Sequence, residues 1–193
     1  MIPRLISLVT LLAALGSGVI GGVFFAFSSF VLPALVRLPG LQGLAAMQSI
    51  NVVVLNRSFL GSFVGTALAC AVLVVDALMR CSAPGAKLRL AGALAYLIGS
   101  LLVTGALNVP WNDVLAATQP HERDAARSWA RFVSGWSLWN HVRTTASIAA
   151  AVLLMLAASG CSRYRECSPP PAAQLGQLPE RSKVAGSTGS STR

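Results

Sequence analysis

Charge is what this chain has least of. Only 11% of its 193 residues are Asp, Glu, Lys or Arg, against 54% hydrophobic, and mean hydropathy is +0.67. A soluble domain carries about twice that share of charge. The shortage is also regional. Between Arg4 and Arg37 there is no ionisable side chain at all, and about 20 apolar residues suffice to cross a bilayer as a helix. An ordinary soluble globular domain is thereby excluded. Acidic residues are scarcer still, 6 against 15 basic ones, for a net charge of +9. That excess does not make a nucleic-acid binder. The basic residues sit in short connectors and the tail, as charges excluded from hydrocarbon do, and form no aromatic-interleaved stripe that would track a phosphate backbone. The cysteines Cys70, Cys81, Cys161 and Cys167 include no CxxC and no His at metal spacing, so neither a zinc site nor a haem attachment is expected. Cys161 and Cys167 are close enough to pair, but a cytoplasmic tail would keep them reduced. The expectation is no metal and no cofactor.

What is present is four apolar runs, over about 5–33, 59–79, 88–107 and 137–159. They predict an all-α fold: a four-helix transmembrane bundle over 1–160 with interfacial amphipathic connector helices, followed by a disordered polar tail over 161–193 rich in Pro, Ser and Gly. The expected location is the cell membrane as a multi-pass protein, in contact with lipid. The first run is too long for a removable signal peptide. Within it, "GSGVIG" satisfies G-x-G-x-x-G, but no strand precedes it and no acidic residue follows at the required distance. Small residues at helical spacing, Ser17 with Gly21 and Gly18 with Gly22, instead predict close approach of a neighbouring helix. Pro33 is expected to end or kink the helix. "NRS" at Asn56 matches a glycosylation sequon and "LAASGC" a lipoprotein cleavage box, each in the wrong context to act as one.

The connectors are more informative. "LQGLAAMQSINVVVLN" is mildly amphipathic, with Leu41, Leu44 and Ala45 on one face, and is expected along the membrane surface. "QPHERDAARSWARFVSGW" is expected to be helical, with Arg123, Arg127 and Arg131 on one face and Ala126, Trp129, Ala130 and Val133 on another. Such a helix suits a bilayer surface, as a lid over the bundle. Asp76 and Arg80, four apart, predict an ion pair at the end of the second helix. The tight basic turn through Arg80, Lys87 and Arg89, with the basic tail, favours both termini in the cytoplasm.

An even number of helices brings the end of the first and third to the same membrane level as the start of the second and fourth. Asn108, Asn112 and Asp113 therefore share a level with Asn140, His141 and Arg143, and Ser28, Ser29, Asn51 and Asn56 join from the same side. On the fourth helix Asn140, Arg143 and Thr144 fall on one face. Arg143 is within snorkelling reach of water, about 6 Å along the axis from Trp139. Trp136 and Trp139 also suit ordinary interface anchors. For His141 alone a hydrogen-bonded structural role is the default, and convergence with Asp113, the asparagines and Arg143 is what would make it functional.

"GVFFAFSSFVLPAL", "AMQSINVVVLN", "NVPWNDVLAA" and "WNHVRTTAS", in this order and spacing, resemble the anthrone oxygenase-like family of small integral membrane proteins. The likeness runs from about Leu5 to Met155. It departs from the family at Arg57, where a proline often follows the asparagine of "VLN", and at Trp111, where an aliphatic residue is commoner. The resemblance implies cofactor-free oxygenation of an anthrone-like polyketide aromatic to the quinone, with molecular oxygen as partner. An enolate formed between two aromatic rings is electron-rich enough to reduce oxygen itself. The protein then supplies a base, an anion-holding group and an apolar chamber. On this reading His141 is the base, with Asp113 in reserve. Arg143 and Asn140 stabilise the oxyanion, Asn108 and Asn112 orient the substrate or the histidine, and Trp111 and Trp139 stack on its ring. The rival reading is a non-catalytic scaffold or small-molecule carrier, since interhelical polar contacts worth about 0.6 kcal/mol need no further purpose. A transporter fits less well, because ion pathways leave ionisable groups near the bilayer centre. Homo-oligomerisation is compatible with all of these.

Overall fold

The computed structural model describes residues 2–119 and 123–166, with side chains over 4–119 and 123–159. His121, Glu122 and most of the tail expected to be disordered therefore lie outside the described residues. Every regular element among those described is helical. α1 (Ile2–Ala26) passes through a π-helical turn, Phe27–Val31, into α2 (Leu32–Val36). α3 (Gln42–Val53) lies between it and α4 (Arg57–Met79). α5 (Ala86–Tyr96) continues through π-helical turns at Leu97–Leu102 and Thr104–Asn108 into α6 (Val109–Ala117), and α7 runs from Ala125 to Glu166. Four stretches are long and apolar enough to cross a membrane: Arg4–Val36, Arg57–Met79, Ala86–Ala117 and Ala125–Ser159. The chain is a multi-pass membrane protein.

Local chemistry sets the boundaries. Asn56 caps α4, its Oδ1 accepting from Phe59 N at 3.0 Å while its Nδ2 donates to Val53 O at 3.0 Å. Such a cap contributes about 1 kcal/mol, and it gives the sequon asparagine a structural task. Gly85, at φ 74°, turns the chain into α5 in a conformation that side chains disfavour. Pro33 does not end its helix. It and Pro110 each stand two residues after the end of a π-helical turn, in the first turn of the next segment. A proline removes one backbone donor and crowds the carbonyl four residues back, and the wider π turn accommodates both effects.

The spans close into a ring: α1 packs on α7, α7 on α5, α5 on α4 and α4 on α1. The polarity of this bundle is the reverse of a soluble one. Large side chains such as Leu8, Leu11, Leu15, Val72 and Met155 face outward, whereas Ala13, Ala14, Ser17, Ala93, Ala150 and Ser147 are buried. With lipid no less apolar than leucine, helices associate by close packing of small residues. The sequence placed two small-residue pairs on the first helix. Of these, Gly21 meets Ser147 and Ile148 closely, whereas Gly22 faces open space; the tightest approach of α1 is at Gly16, against Thr66.

Three of the spans are 32 to 35 residues long, but α4 has only 23. The long helices therefore extend beyond the start of α4, and α3 fills the missing quarter. Gln48 fixes it there, its Nε2 donating to Leu115 O at 2.7 Å and to Thr118 O at 2.9 Å, carbonyls at the end of α6. The buried face of α3 is Leu44 and Met47, with Ala45 exposed. A second apolar cluster of Leu32, Leu44, Met47, Leu115, Phe132 and Trp136 results, distinct from the bundle core around Phe24, Phe63, Cys70, Tyr96 and Leu154. The arginine-striped segment is the first part of α7, continuous with the fourth span, so it is α3 that roofs the bundle.

Because a Cβ on Gly99 would lie 2.3 Å from Ala146 Cβ, Gly99→Leu should destabilise the detergent-solubilised protein by about 1–3 kcal/mol through overpacking. Gly22→Leu, into open space, should leave it unchanged. Thermal unfolding of the two variants side by side checks the packing of the Leu97–Leu102 turn on α7.

Candidate functional site

The polar side chains gather in a layer between the two apolar clusters. Asn140, fully buried on α7, donates from Nδ2 to Phe24 O at 2.8 Å and to Ser28 Oγ at 2.7 Å. Its Oδ1 accepts from Arg143 Nη2 at 2.6 Å, and Arg143 Nη1 donates to Thr104 Oγ1 at 3.3 Å. Thr144 Oγ1 donates to Asn140 O at 2.8 Å. Ser28 and Thr104 both belong to π-helical turns. The wide turns thus flank α7 on two sides and supply the partners of Asn140 and Arg143, consistent with the association of π turns with functional sites.

Arg143 does not snorkel. It is 5% exposed, with its guanidinium carbon 4.1 Å from the centre of the Phe24 ring and 5.1 Å from that of Trp136. Phe24 in turn packs edge-on to Phe63, in the second turn of α4. Cation–π contact of a desolvated guanidinium contributes about 2 kcal/mol, and each hydrogen bond to it about 1.5–3 kcal/mol. Neither replaces a counter-charge. No carboxylate pairs with Arg143 among the described residues, and its Nε has no hydrogen-bond partner. Buried ionisable groups in membrane spans face a partner or a ligand.

Two cavities adjoin this layer. The first, of about 220 Å³, lies under α3 where α4 falls short. Arg143, Thr104, Asn51, Asn112 and Trp136 supply its polar lining; the rest is apolar, including Phe24, Phe27, Phe59 and Phe63. Several of its groups lack partners: Asn51 Nδ2, Asn112 Oδ1, Trp136 Nε1 and Arg143 Nε are all buried without a hydrogen bond. Buried polar atoms are seldom left so. Three donors and one acceptor around an aromatic-walled space suit a flat ligand bearing oxygens. The second cavity, of about 380 Å³, is lined by His141, Asn140, Ser28, Arg37 and Ser137 among others. Phe27 and Trp136, with ring centres 5.7 Å apart, border both cavities and form the wall between them.

The sequence grouped these residues by membrane level; the tertiary structure sorts them by face. Arg143 and Asn140 are bonded to one another, and Asn112 lines the first cavity with Arg143. Asn108 is fully buried behind it, donating from Nδ2 to Trp136 O at 3.3 Å with Oδ1 unpartnered. His141 is exposed on the other side of the aromatic wall, and Asp113 is exposed and borders neither cavity. Asp113 and the Asn108–Asn112 group therefore do not converge on His141. Trp111 packs on Gly135, where an added Cβ would come within 2.3 Å of its ring, and Trp139 is half-buried; neither lines a cavity. The ring facing Arg143 is Trp136, which the sequence offered only as an interface anchor. Thr104 and the wall phenylalanines went unassigned, although Phe59 and Phe63 at i,i+4 spacing are a legible aromatic stripe. No three His, Cys, Asp or Glu side chains cluster among the described residues.

A family model described as anthrone oxygenase matches residues 52–153, just over half of the chain, from the end of α3 to near the end of the fourth span. The matched region contains Asn108, Asn112, Asn140, His141 and Arg143, while the likeness in α1 lies outside it. No curated protein and no solved structure matches. With the family match resting on the segments that build the buried layer, the chain belongs to the anthrone oxygenase family.

Proposed function

We propose that this chain oxidises an electron-rich, anthrone-like aromatic ketone with molecular oxygen, and that Arg143 holds the substrate as its enolate. The observation that carries the reading is the guanidinium itself: buried, with no carboxylate and no partner for its Nε among the described residues, and bordering an aromatic-walled cavity. Fixed donors act most strongly where charge develops in a water-poor site. Asn140 and Thr104 hold the guanidinium in place, Asn51 and Trp136 offer further donors to the substrate oxygens, and Asn112 accepts from a substrate hydroxyl.

The chemistry balances with oxygen as sole oxidant. Loss of a proton from the ring methylene gives the enolate, which passes one electron to oxygen. The resulting radical and superoxide combine to form a carbon–oxygen bond, and with one proton the product is a hydroperoxide. Its O–O bond then breaks as the remaining C–H proton leaves: one oxygen stays as the new carbonyl and the other departs as water. The anion-holding group matters in the first step, where it lowers the cost of enolate formation. The first proton passes to water, because Arg143 is the only ionisable side chain that lines the first cavity among the described residues and His141 lies beyond the Phe27–Trp136 wall.

A second reading is favoured by one observation: among the described residues, Arg143 is the only ionisable side chain that lines the first cavity. With no proton acceptor inside the chamber, the same architecture would serve a carrier that binds an aromatic anion and releases it unchanged.

The two readings separate by oxygen uptake. Arg143→Gln should lower kcat for anthrone oxidation by about 10²–10³ while Arg143→Lys retains a measurable part; an unchanged rate in Arg143→Gln would remove the proposal. His141→Gln should leave both turnover and ligand affinity, the latter followed by quenching of tryptophan fluorescence, close to wild type, because its side chain lies outside the first cavity. If wild-type protein binds anthrone but consumes no oxygen above the spontaneous rate, the carrier reading replaces the oxygenase.

A further inference from the structure

The opposite end of the bundle holds a second buried arginine, and its surroundings differ from those of Arg143. Arg89, on α5, is 5% exposed. Its Nη2 lies 3.3 Å from Asp76 Oδ2, and its Nη1 donates to Pro84 O at 3.1 Å. The other oxygen of the same carboxylate, Asp76 Oδ1, is 3.5 Å from Arg80 Nε. One carboxylate is thus shared by two guanidinium groups, which leaves one positive charge over among the described residues. Arg89 Nε is buried with no hydrogen-bond partner.

These three side chains line a cavity of about 220 Å³ between the start of α1, the end of α4, the α4–α5 turn and α7. Ile6, Ser7, Thr10, Pro84 and Ala157 are among the other residues of its wall. The start of α5 stands beside it: Gly85 precedes the helix without a side-chain cap, so the positive end of the helix dipole adds to the surplus charge. The cavity therefore combines a buried guanidinium with a free donor, a second guanidinium 44% exposed at its rim, and one carboxylate against two cations. Isolated ion pairs at a helix end, as the sequence suggested for Asp76 and Arg80, need no cavity and no third charge.

The geometry points to an anion site here, specific for a phosphate group: the head of an anionic phospholipid or a free phosphate. Planar guanidinium groups suit tetrahedral oxyanions, and the position at the end of the spans opposite α3 is where a lipid phosphate would lie. The site is separate from the Arg143 cavity and does not depend on what that cavity does.

The test titrates the detergent-solubilised full-length protein with short-chain phosphatidylglycerol, phosphatidylcholine of the same chain length, and inorganic phosphate, following the thermal unfolding midpoint. A saturable rise with phosphatidylglycerol but not phosphatidylcholine is expected; a matching response to inorganic phosphate would assign the site to a free anion as well. Arg80→Gln, at a half-exposed position that should not disturb folding, is expected to weaken the response about tenfold, the loss of one charge-assisted contact. Asp76→Asn, which removes the competing carboxylate, should strengthen it where that variant folds. No saturable response to either phosphate probe, or an Arg80→Gln response identical to wild type, overturns the proposal.

Discussion

The guanidinium of Arg143 sits between two aromatic rings, with Asn140 and Thr104 as its hydrogen-bond acceptors and, among the described residues, no opposite charge beside it. Taking a cation out of water without a partner costs several kcal/mol, and the surrounding structure is arranged to offset that cost. Asn140 is itself fixed to Phe24 O and Ser28, Thr104 is offered from a π-helical turn, and Phe24 is braced by Phe63 on α4. The upper bundle is organised around one group that would prefer to be elsewhere. The two arginines that penetrate the fold make the contrast plain: Arg89 shares Asp76 with Arg80, whereas Arg143 has a cavity where a carboxylate would be.

That cavity has a simple origin in length. Three spans run past the start of α4, so the fourth wall of the bundle is missing at one end, and α3 covers the gap. Because α3 is held by Gln48 to the last carbonyls of α6 and packs by Leu44 and Met47, the roof is attached by few interactions. Elements of this kind belong to the low-stability end of a structure. A flat hydrophobic ligand reaching Arg143 would pass near Leu55 and Leu60, apolar residues at the α3–α4 junction that line the cavity and are also exposed on the outer surface.

Much of this was legible beforehand. The absence of charge over 5–36 and three further apolar runs specified the spans, and the parity of four crossings specified that Ser28, Asn108, Asn140 and Arg143 would meet at one end. The pairing of Asn140 with Arg143 followed from i,i+3 spacing. What misled was treating membrane level as proximity. His141 and Asn140 both border the second cavity, whereas Arg143 borders the first. Residues two apart in a helix point about 200° apart, so a two-residue step was enough to put His141 and Arg143 on opposite sides of the aromatic wall. Asp113 follows Asn112 directly and is turned out of the site.

The sequence by itself determined the class of fold, the side on which polar groups collect, and the inversion that puts leucine outside and alanine inside, because each follows from the cost of exposing backbone and charge to hydrocarbon. The tertiary structure alone decided which polar groups face one another. It set the rotation of each helix about its axis, widened α1 and the third span into π turns beside Pro33 and Pro110, and drew the Arg143 side chain inward where its length would have let it reach water. Those choices depend on packing between residues more than a hundred positions apart, such as Asn140 with Phe24, and no local pattern encodes an interhelical contact of that kind.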